Sequence, residues 1–338
     1  MQNEATLTRT PSPKNTGPKL SILITHYNYN KFLSSLLDNV KEQSIKNDAE
    51  IVIVDDCSDI SPETIIRQQK YEDLNIVFIQ NKTRLYTKDT RLVAVEAASS
   101  ELVTFIDADD RFYGTSALEK HVNEMICNNV DMLHFRTLHR TRSVDDAPPA
   151  HSTWHDPFAQ RLYGDEIFRI YVLNLCPGHT IWGKIIKRSI WIKCMDFAKS
   201  SQVRRYQEDF FLMSLLLSQT QSYMGSTRIG YIRNLGPAHK HSNYVKALGR
   251  MATNYYMLNE LVPYFIANGV DKNIVGAFES YVNDVLKTNC LSLLNGVVQS
   301  WNLSHRLHDD EVNEILEKMH EYADNETFLR IMLTYIAM

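Results

Sequence analysis

Short apolar runs recur along the first third of the chain, from Leu20 to Ile24, Glu50 to Val54, Asn75 to Ile79 and Leu102 to Ile106. They lie too far apart for hairpins, and helix-like segments stand between the first and second and before the last. That spacing predicts a parallel sheet with crossover helices, since buried parallel strands read as continuous apolar runs. Phe32, Leu36, Leu37 and Val40 form an apolar face at helical spacing and predict a first crossover helix over about 31–43. Ser61-Pro62-Glu63 supplies an N-cap followed by proline at a first helical position. Ser116 and Glu119 form a capping box before a helix burying Leu118, Val122, Met125 and Ile126. A fifth run, Asp131 to Phe135, adds another strand.

Beyond it the pattern changes. From Thr137 to Pro157 the chain is polar and reads as a loop between halves. A helix follows near Gly164 to Leu175, then an irregular Pro177-Gly178 stretch, then a helix from about Gln207. From Tyr244 onward the pattern is of amphipathic helices, such as Glu311 to Tyr322 with Val312, Ile315, Leu316 and Met319 on one face. Residues 1–18, with Pro11, Pro13 and Pro18, read as a flexible leader. The predicted class is α/β: a Rossmann-like, mostly parallel sheet flanked by helices, with a C-terminal helical extension.

Composition narrows the function. A chain of 338 residues, 44% hydrophobic and 22% charged with a formal charge of −4, is a globular protein with no basic stripe for nucleic acid. Five scattered cysteines form no CxxC pair and point to a reducing compartment rather than a structural zinc site. No apolar run reaches the roughly 18 residues of a membrane span, and the N-terminus has no signal-peptide pattern. The expected location is the cytoplasm, or the inner face of the plasma membrane as a peripheral protein.

The strand ends carry the chemistry. In open parallel sheets, ligands bind beyond the carboxyl ends of the strands. Here those ends carry Thr25-His26-Tyr27-Asn28, Asp55-Asp56-Cys57-Ser58-Asp59 and Asp107-Ala108-Asp109-Asp110. Tyr27 can stack on a base, and Thr25 and an Asp can bond a pyrimidine edge. On an extended chain Asp107 and Asp109 point the same way, which suits a hard cation such as Mg²⁺ or Mn²⁺, while Asp110 points elsewhere. Taken singly, each group has an ordinary explanation: a half-buried tyrosine, an Asx turn, an acidic turn. Their succession does not.

These three segments together resemble glycosyltransferase family 2, over residues 19 to about 235. The resemblance implies the GT-A fold and an inverting, divalent-cation-dependent transfer from a UDP-sugar to a saccharide or lipid-linked saccharide, in assembly of a bacterial surface glycan. It divides the chain into a nucleotide-sugar half (19–136), an acceptor and base half (137–243) and a helical region (244–338). It assigns Thr25, Tyr27, Asp55 and Asp56 to the nucleotide, Asp107 and Ala108 to the ribose-diphosphate, and Asp109 with Asp107 to the metal. Arg91, with Arg84 as a second candidate, stands near the donor. Gln207-Glu208-Asp209 matches the family's acidic pair at a helix start, with Asp209 as base and Glu208 as alternate. His179, Trp182, Gly183 and Lys184 match a segment near the acceptor sugar. The ordinary alternatives are acids that complement a helix dipole and a core tryptophan beside a turn. His239-Lys240-His241-Ser242 reads as a solvated basic loop. Cys57, Leu92 and Ser100 depart from the family pattern, at positions where glycine, asparagine and glycine are common.

Two other classes stay in view. One is a nucleotide-sugar-binding scaffold with a decayed site. The other is a metal-dependent phosphohydrolase, which places a nucleophilic Asp after the first strand, where this chain has Thr25-His26-Tyr27. The C-terminal helices are open to three readings: membrane docking, a homodimer, or completion of the fold.

Overall fold

The computed structural model describes residues 6–9, 17–141, 150–151, 156–173, 178–204, 206–235 and 243–302. The chain divides into two compact units, Met1–Ser200 with Leu212–Pro237, and Ser201–Phe211 with Ala238–Met338.

The first unit is built on an 11-stranded sheet. In chain order it contains β1 (Thr6–Arg9), β2 (Leu20–His26), α1 (Asn30–Lys41), β3 (Ala49–Asp55), α2 (Glu63–Ile66), β4 (Ile76–Gln80), α3 (Tyr86–Ala97) and β5 (Leu102–Phe105). There follow β6 (Arg111–Phe112), α4 (Ala117–Asn128), β7 (Met132–Thr141), β8 (Ala150–His151), β9 (Leu162–Tyr163), α5 (Asp165–Val172), β10 (Lys184–Lys187), α6 (Arg188–Ser200) and β11 (Ser222–Leu235). The helix α7 (Glu208–Gln219) begins in the second unit and ends in the first. The strand order is β1-β4-β3-β2-β5-β10-β7-β11-β6, with β8 on β7 and β9 on β11. Strands β4, β3, β2 and β5 are parallel, as the recurring apolar runs predict. Strand β10 enters antiparallel between β5 and β7, and β11 is parallel to β7.

Burial explains the pattern. Every residue of β3 is buried, because helices cover both faces of a parallel sheet. One face, with Leu20, Ile22, Ile24, Ile51 and Ile53, shares a core cluster with Leu33, Leu36, Leu37 and Val40 of α1. Leu33 takes the place expected of Phe32, which is half-buried. On the opposite side α3 packs on β2 and β3 and buries Leu92, Ala94 and Val95.

Several expectations are corrected. The capping box does not form, since Ser116 makes no side-chain cap and Glu119 accepts a hydrogen bond from Ser44 Oγ instead. Ile126 of α4 is 54% exposed rather than buried. Strand β7 runs on to Thr141, because β11 pairs with it as far as Leu235↔Thr141, across register shifts between Ser226 and Ile229 and between Ile229 and Tyr231. Part of the expected leader is a strand, β1, antiparallel to β4. Residues 1–5 and 10–16 of the leader, Pro177, the His239 to Ser242 loop and the Glu311 to Tyr322 helix lie outside the described residues.

The second unit contains α8 (Asn243–Tyr256), a π-helical turn (Met257–Leu261), α9 (Val262–Ala267) and α10 (Lys272–Asn302). Phe278 packs between Phe265 and Phe210, with ring centroids 5.2 and 6.2 Å away. Glu260 accepts hydrogen bonds from Ser201 Oγ and Gln202 N, tying the 201–211 segment to these helices. Among the described residues no helix is long and apolar enough to cross a membrane.

Candidate active site

The loops after β2 and β3 lock together. Asn28 N donates to Ser58 Oγ at 2.8 Å, Asn28 Nδ2 to Asp59 Oδ2 at 2.9 Å, and Asp59 N to Asn28 Oδ1 at 3.0 Å. Asn28 and Cys57 both adopt left-handed backbone, φ 54° and 62°. The conformation at Cys57 is one that glycine adopts without strain, which accounts for the glycine expected at that position.

The paired aspartates separate into two jobs. Asp55 is wholly buried and accepts bonds from His26 Nδ1 (2.8 Å), Ser58 N (3.2 Å), Ser58 Oγ and Gln80 Nε2 (3.2 Å). Burial pushes its carboxyl up, but the hydrogen bonds from His26 and Ser58 outweigh that and hold it below the ordinary Asp value. Asp55, expected among the nucleotide contacts, is therefore a brace within the loop. Asp56, 4% exposed, accepts Asn81 Nδ2 (3.1 Å) and Leu85 N (2.7 Å) on Oδ1 and Tyr86 N (2.9 Å) on Oδ2. It caps α3 from a distant strand end. That cap places Arg84, whose guanidinium lies over the Tyr27 ring at 3.8 Å and the Tyr86 ring at 5.0 Å. Thr25 is half-buried at the end of β2, on the opposite face from His26.

The acidic cluster is a turn rather than a strand. Strand β5 stops at Phe105, and Asp110 N donates to Asp107 O at 3.0 Å. The alternation expected for Asp107 and Asp109 on an extended chain therefore does not apply. Asp107 has a side-chain exposure of 42% and lies 3.9 Å from Arg91 Nη2, a loose ion pair. Asp109 is half-buried, and Ala108 is buried in the core cluster. Asp110, set aside by sequence reasoning, is buried and accepts Tyr231 Oη and Asn234 N, each at 2.7 Å. Burial, then the charge of Asp107, raises its carboxyl to about 8 against the pull of those two bonds. Asn234 Nδ2 also holds Asp109 O at 2.6 Å, so β11 grips the whole turn.

Such a turn fits a hard divalent cation. Asp107 and Asp109 are part-exposed carboxylates, and the like charge that, after burial, lifts Asp110 is what a cation relieves. Among the described residues no three His, Cys, Asp or Glu side chains are grouped to hold a metal by themselves. A cation there needs further oxygens from phosphate and water.

The segment expected near the acceptor is mostly interior. Trp182, 4% exposed, stacks on Tyr231 with centroids 5.0 Å apart, and the Arg233 guanidinium lies 5.4 Å from its ring. Gly183 has φ 76°, and a Cβ there would sit 3.4 Å from Thr137 Oγ1. Lys184 is buried in β10, with Nζ donating to Thr180 O at 2.7 Å. His179, half-exposed, shares a 3.1 Å hydrogen bond with Tyr171 Oη. The core reading therefore describes Trp182 and Lys184 better than a platform for a sugar.

Glu208 and Asp209 open α7 and belong to the second unit, both half-buried. Tyr206 and Gln207 just before them have φ 47° and 55°. Thr253 Oγ1 of α8 donates to Tyr206 O at 2.9 Å, and a Cβ at Gly249 would overlap the Tyr206 ring. Close packing on α8 thus sets the entry to the acidic pair.

Comparison with known proteins agrees with this architecture. The profile of glycosyl transferase family 2 matches residues 21–187. The poly(ribitol-phosphate) β-N-acetylglucosaminyltransferase TarS of Staphylococcus aureus is 35% identical over 95 residues, which are 27% of this chain and 16% of TarS. The chain thus matches about a sixth of that relative's length. The crystal structure of S. aureus TarS 1–349 in complex with UDP superposes with a TM-score of 0.56 at 17% identity, over 91% of this chain and 82% of that one. The mannosyltransferase PcManGT of Pyrobaculum calidifontis, in complex with GDP-Man and Mn²⁺, gives 0.51 at 14% identity, over 96% and 86%. The fold is GT-A, and through the domain at residues 21–187 the chain belongs to glycosyl transferase family 2.

Proposed function

We propose that the protein is an inverting, metal-dependent glycosyltransferase that moves a hexose or N-acetylhexosamine from a UDP-sugar to a hydroxyl of a glycan or lipid-linked saccharide, in synthesis of a bacterial surface polysaccharide or lipooligosaccharide. The observation that carries this reading is that Tyr27 under Arg84, and the Asp107 to Asp109 turn with Arg91 beside it, follow the carboxyl ends of β2, β4 and β5 in one parallel set of strands. A UDP donor is supported by TarS, crystallised with UDP, and a divalent cation by PcManGT, crystallised with Mn²⁺. The surface-glycan setting is supported by the poly(ribitol-phosphate) acceptor in the name of TarS. Cys57, Cys127 and Cys194 are free thiols, which supports the cytoplasm or its membrane face as the setting.

A bound Mn²⁺ or Mg²⁺ would neutralise charge on the departing diphosphate. Asp107 and Asp109 would hold that cation, and Arg91, 3.9 Å from Asp107, adds positive charge beside them. Tyr27, backed by Arg84 on one face of its ring, stacks on the base with the other. As the acceptor oxygen bonds to the anomeric carbon, the opposite bond to the diphosphate breaks and configuration inverts. The hydroxyl proton passes to the Asp209 carboxylate, with Glu208 as alternate.

The test is UDP release from a panel of UDP-sugars, with and without Mn²⁺ or Mg²⁺. Asp109→Asn and Asp209→Asn should each lower kcat by about a hundredfold or more. Full turnover in both variants overturns the mechanism. Release of inorganic phosphate instead of UDP would favour the phosphohydrolase, and UDP binding without turnover would favour the decayed scaffold.

A further inference from the structure

Strands β7 and β11 run parallel, with Tyr231 beside Thr137 and Arg233 beside His139. Side chains two residues apart on a strand share a face. Arg233 and His139 therefore lie side by side on the face that carries Tyr231 and Trp182. The Arg233 guanidinium sits over the Trp182 ring, and the neighbouring residue Asn234 grips the Asp109 to Asp110 turn. Arg233 is part-exposed, and no carboxylate among the described residues forms an ion pair with it. A guanidinium resting on an aromatic face keeps its in-plane N–H donors at its rim, the geometry that receives a phosphate oxygen pair. Neighbouring positive charge is also felt at His139, whose ring is held below the usual histidine value by burial and then by Arg233.

We propose that Arg233 and His139 form a subsite for a phosphate-class anion beside Trp182, supplied by the diphosphate of a donor or by a phosphodiester of an acceptor chain. Trp182 holds the guanidinium in place, and Asn234 sets its distance from the acidic turn. The subsite deepens the functional reading above, but its first test does not need turnover.

Inorganic phosphate is titrated into the full chain near neutral pH while the His139 ring signals, assigned with His139→Gln, are followed by NMR. The expected result is a saturable shift of His139 and about a tenfold weaker response in Arg233→Gln, partly restored in Arg233→Lys, which corresponds to about 1.4 kcal/mol. Thermal melting of each variant checks that the fold is retained. Two calorimetric arms then assign the source. Weaker binding of UDP but not uridine to Arg233→Gln assigns the donor diphosphate. Unchanged UDP binding with weaker binding of a glycerol phosphate oligomer assigns the acceptor. No response of His139 to phosphate, an equal response in wild type and Arg233→Gln, or no effect of Arg233→Gln in either arm overturns the proposal. Phosphate and UDP binding that depend on Arg233, together with no UDP release from any sugar donor, leaves the subsite standing and removes the transferase reading.

Discussion

Cys57 holds φ 62° in the loop that places Asp56, where a non-glycine residue costs about 1–2 kcal/mol. Replacing it with glycine removes that strain but adds freedom to the unfolded chain, so Cys57→Gly should change stability by less than about 1 kcal/mol. Cys57→Val, β-branched at positive φ, should lose about 2 kcal/mol. Urea denaturation of both variants measures the difference, and a wild-type midpoint for Cys57→Val would refute the strain. The same scale shows why the Asp pair could not be divided from sequence. Asp55 and Asp56 are adjacent and chemically identical, and only the partners reached through the fold, His26 and Ser58 for one and Leu85 and Tyr86 for the other, make one a brace and the other a cap.

Among the elements, α3 depends most visibly on a remote residue. Asp56→Ala leaves the Leu85 and Tyr86 amides without their acceptor and should cost about 1–3 kcal/mol. Hydrogen exchange should quicken at those two amides while α4 is unchanged, and UDP binding should weaken as Arg84 loses its place over Tyr27. Equal protection at Leu85 and Tyr86 in the variant would reject that role. At the sheet edge, β1 pairs with β4 from Thr6↔Gln80 to Arg9↔Val77. Deleting residues 1–9 bares the β4 edge and should raise self-association in light scattering. The crossover strands and helices were legible because continuous apolar runs and the helical repeat are local signals. The capping box failed because Ser44, 75 residues away, competes for Glu119, and the length of β7 was hidden because its partner β11 lies far along the chain.

Across the molecule, carboxylates bonded within the fold set opposing pH dependences. Asp131 joins β7 to β10 and β11, accepting Lys187 Nζ at 2.9 Å, Gln221 N at 3.0 Å and Ser222 N at 3.1 Å. Burial raises its carboxyl, but these bonds outweigh burial and leave it lowered, as in Asp55. For a lowered carboxyl the unfolded chain binds protons more tightly, so stability is present above the unfolded value of about 4 and is lost as pH falls through the folded one. Asp110 has the reverse sign. Its folded value near 8 means the folded state binds the proton more tightly. Stability should therefore decline as pH rises from about 4 toward 8, where the penalty is complete. Melting in metal-free buffer across this range should show both limbs, and Asp110→Asn should flatten the second; an unchanged second limb would contradict the burial of an acid there.

From the chain alone one can read the α/β class, the parallel strand series and the family, because each rests on residues close in sequence: apolar runs, helical spacing and polar groups at strand ends. The tertiary structure decided which groups at those ends face solvent. Asp110 is buried by Tyr231 and Asn234, 121 and 124 residues away. Trp182 is closed between Tyr231 and Arg233, and Arg233 meets His139 only through the pairing of β7 with β11. Burial, and with it charge state and accessibility, comes from contacts between distant segments, and no local pattern in the chain encodes those.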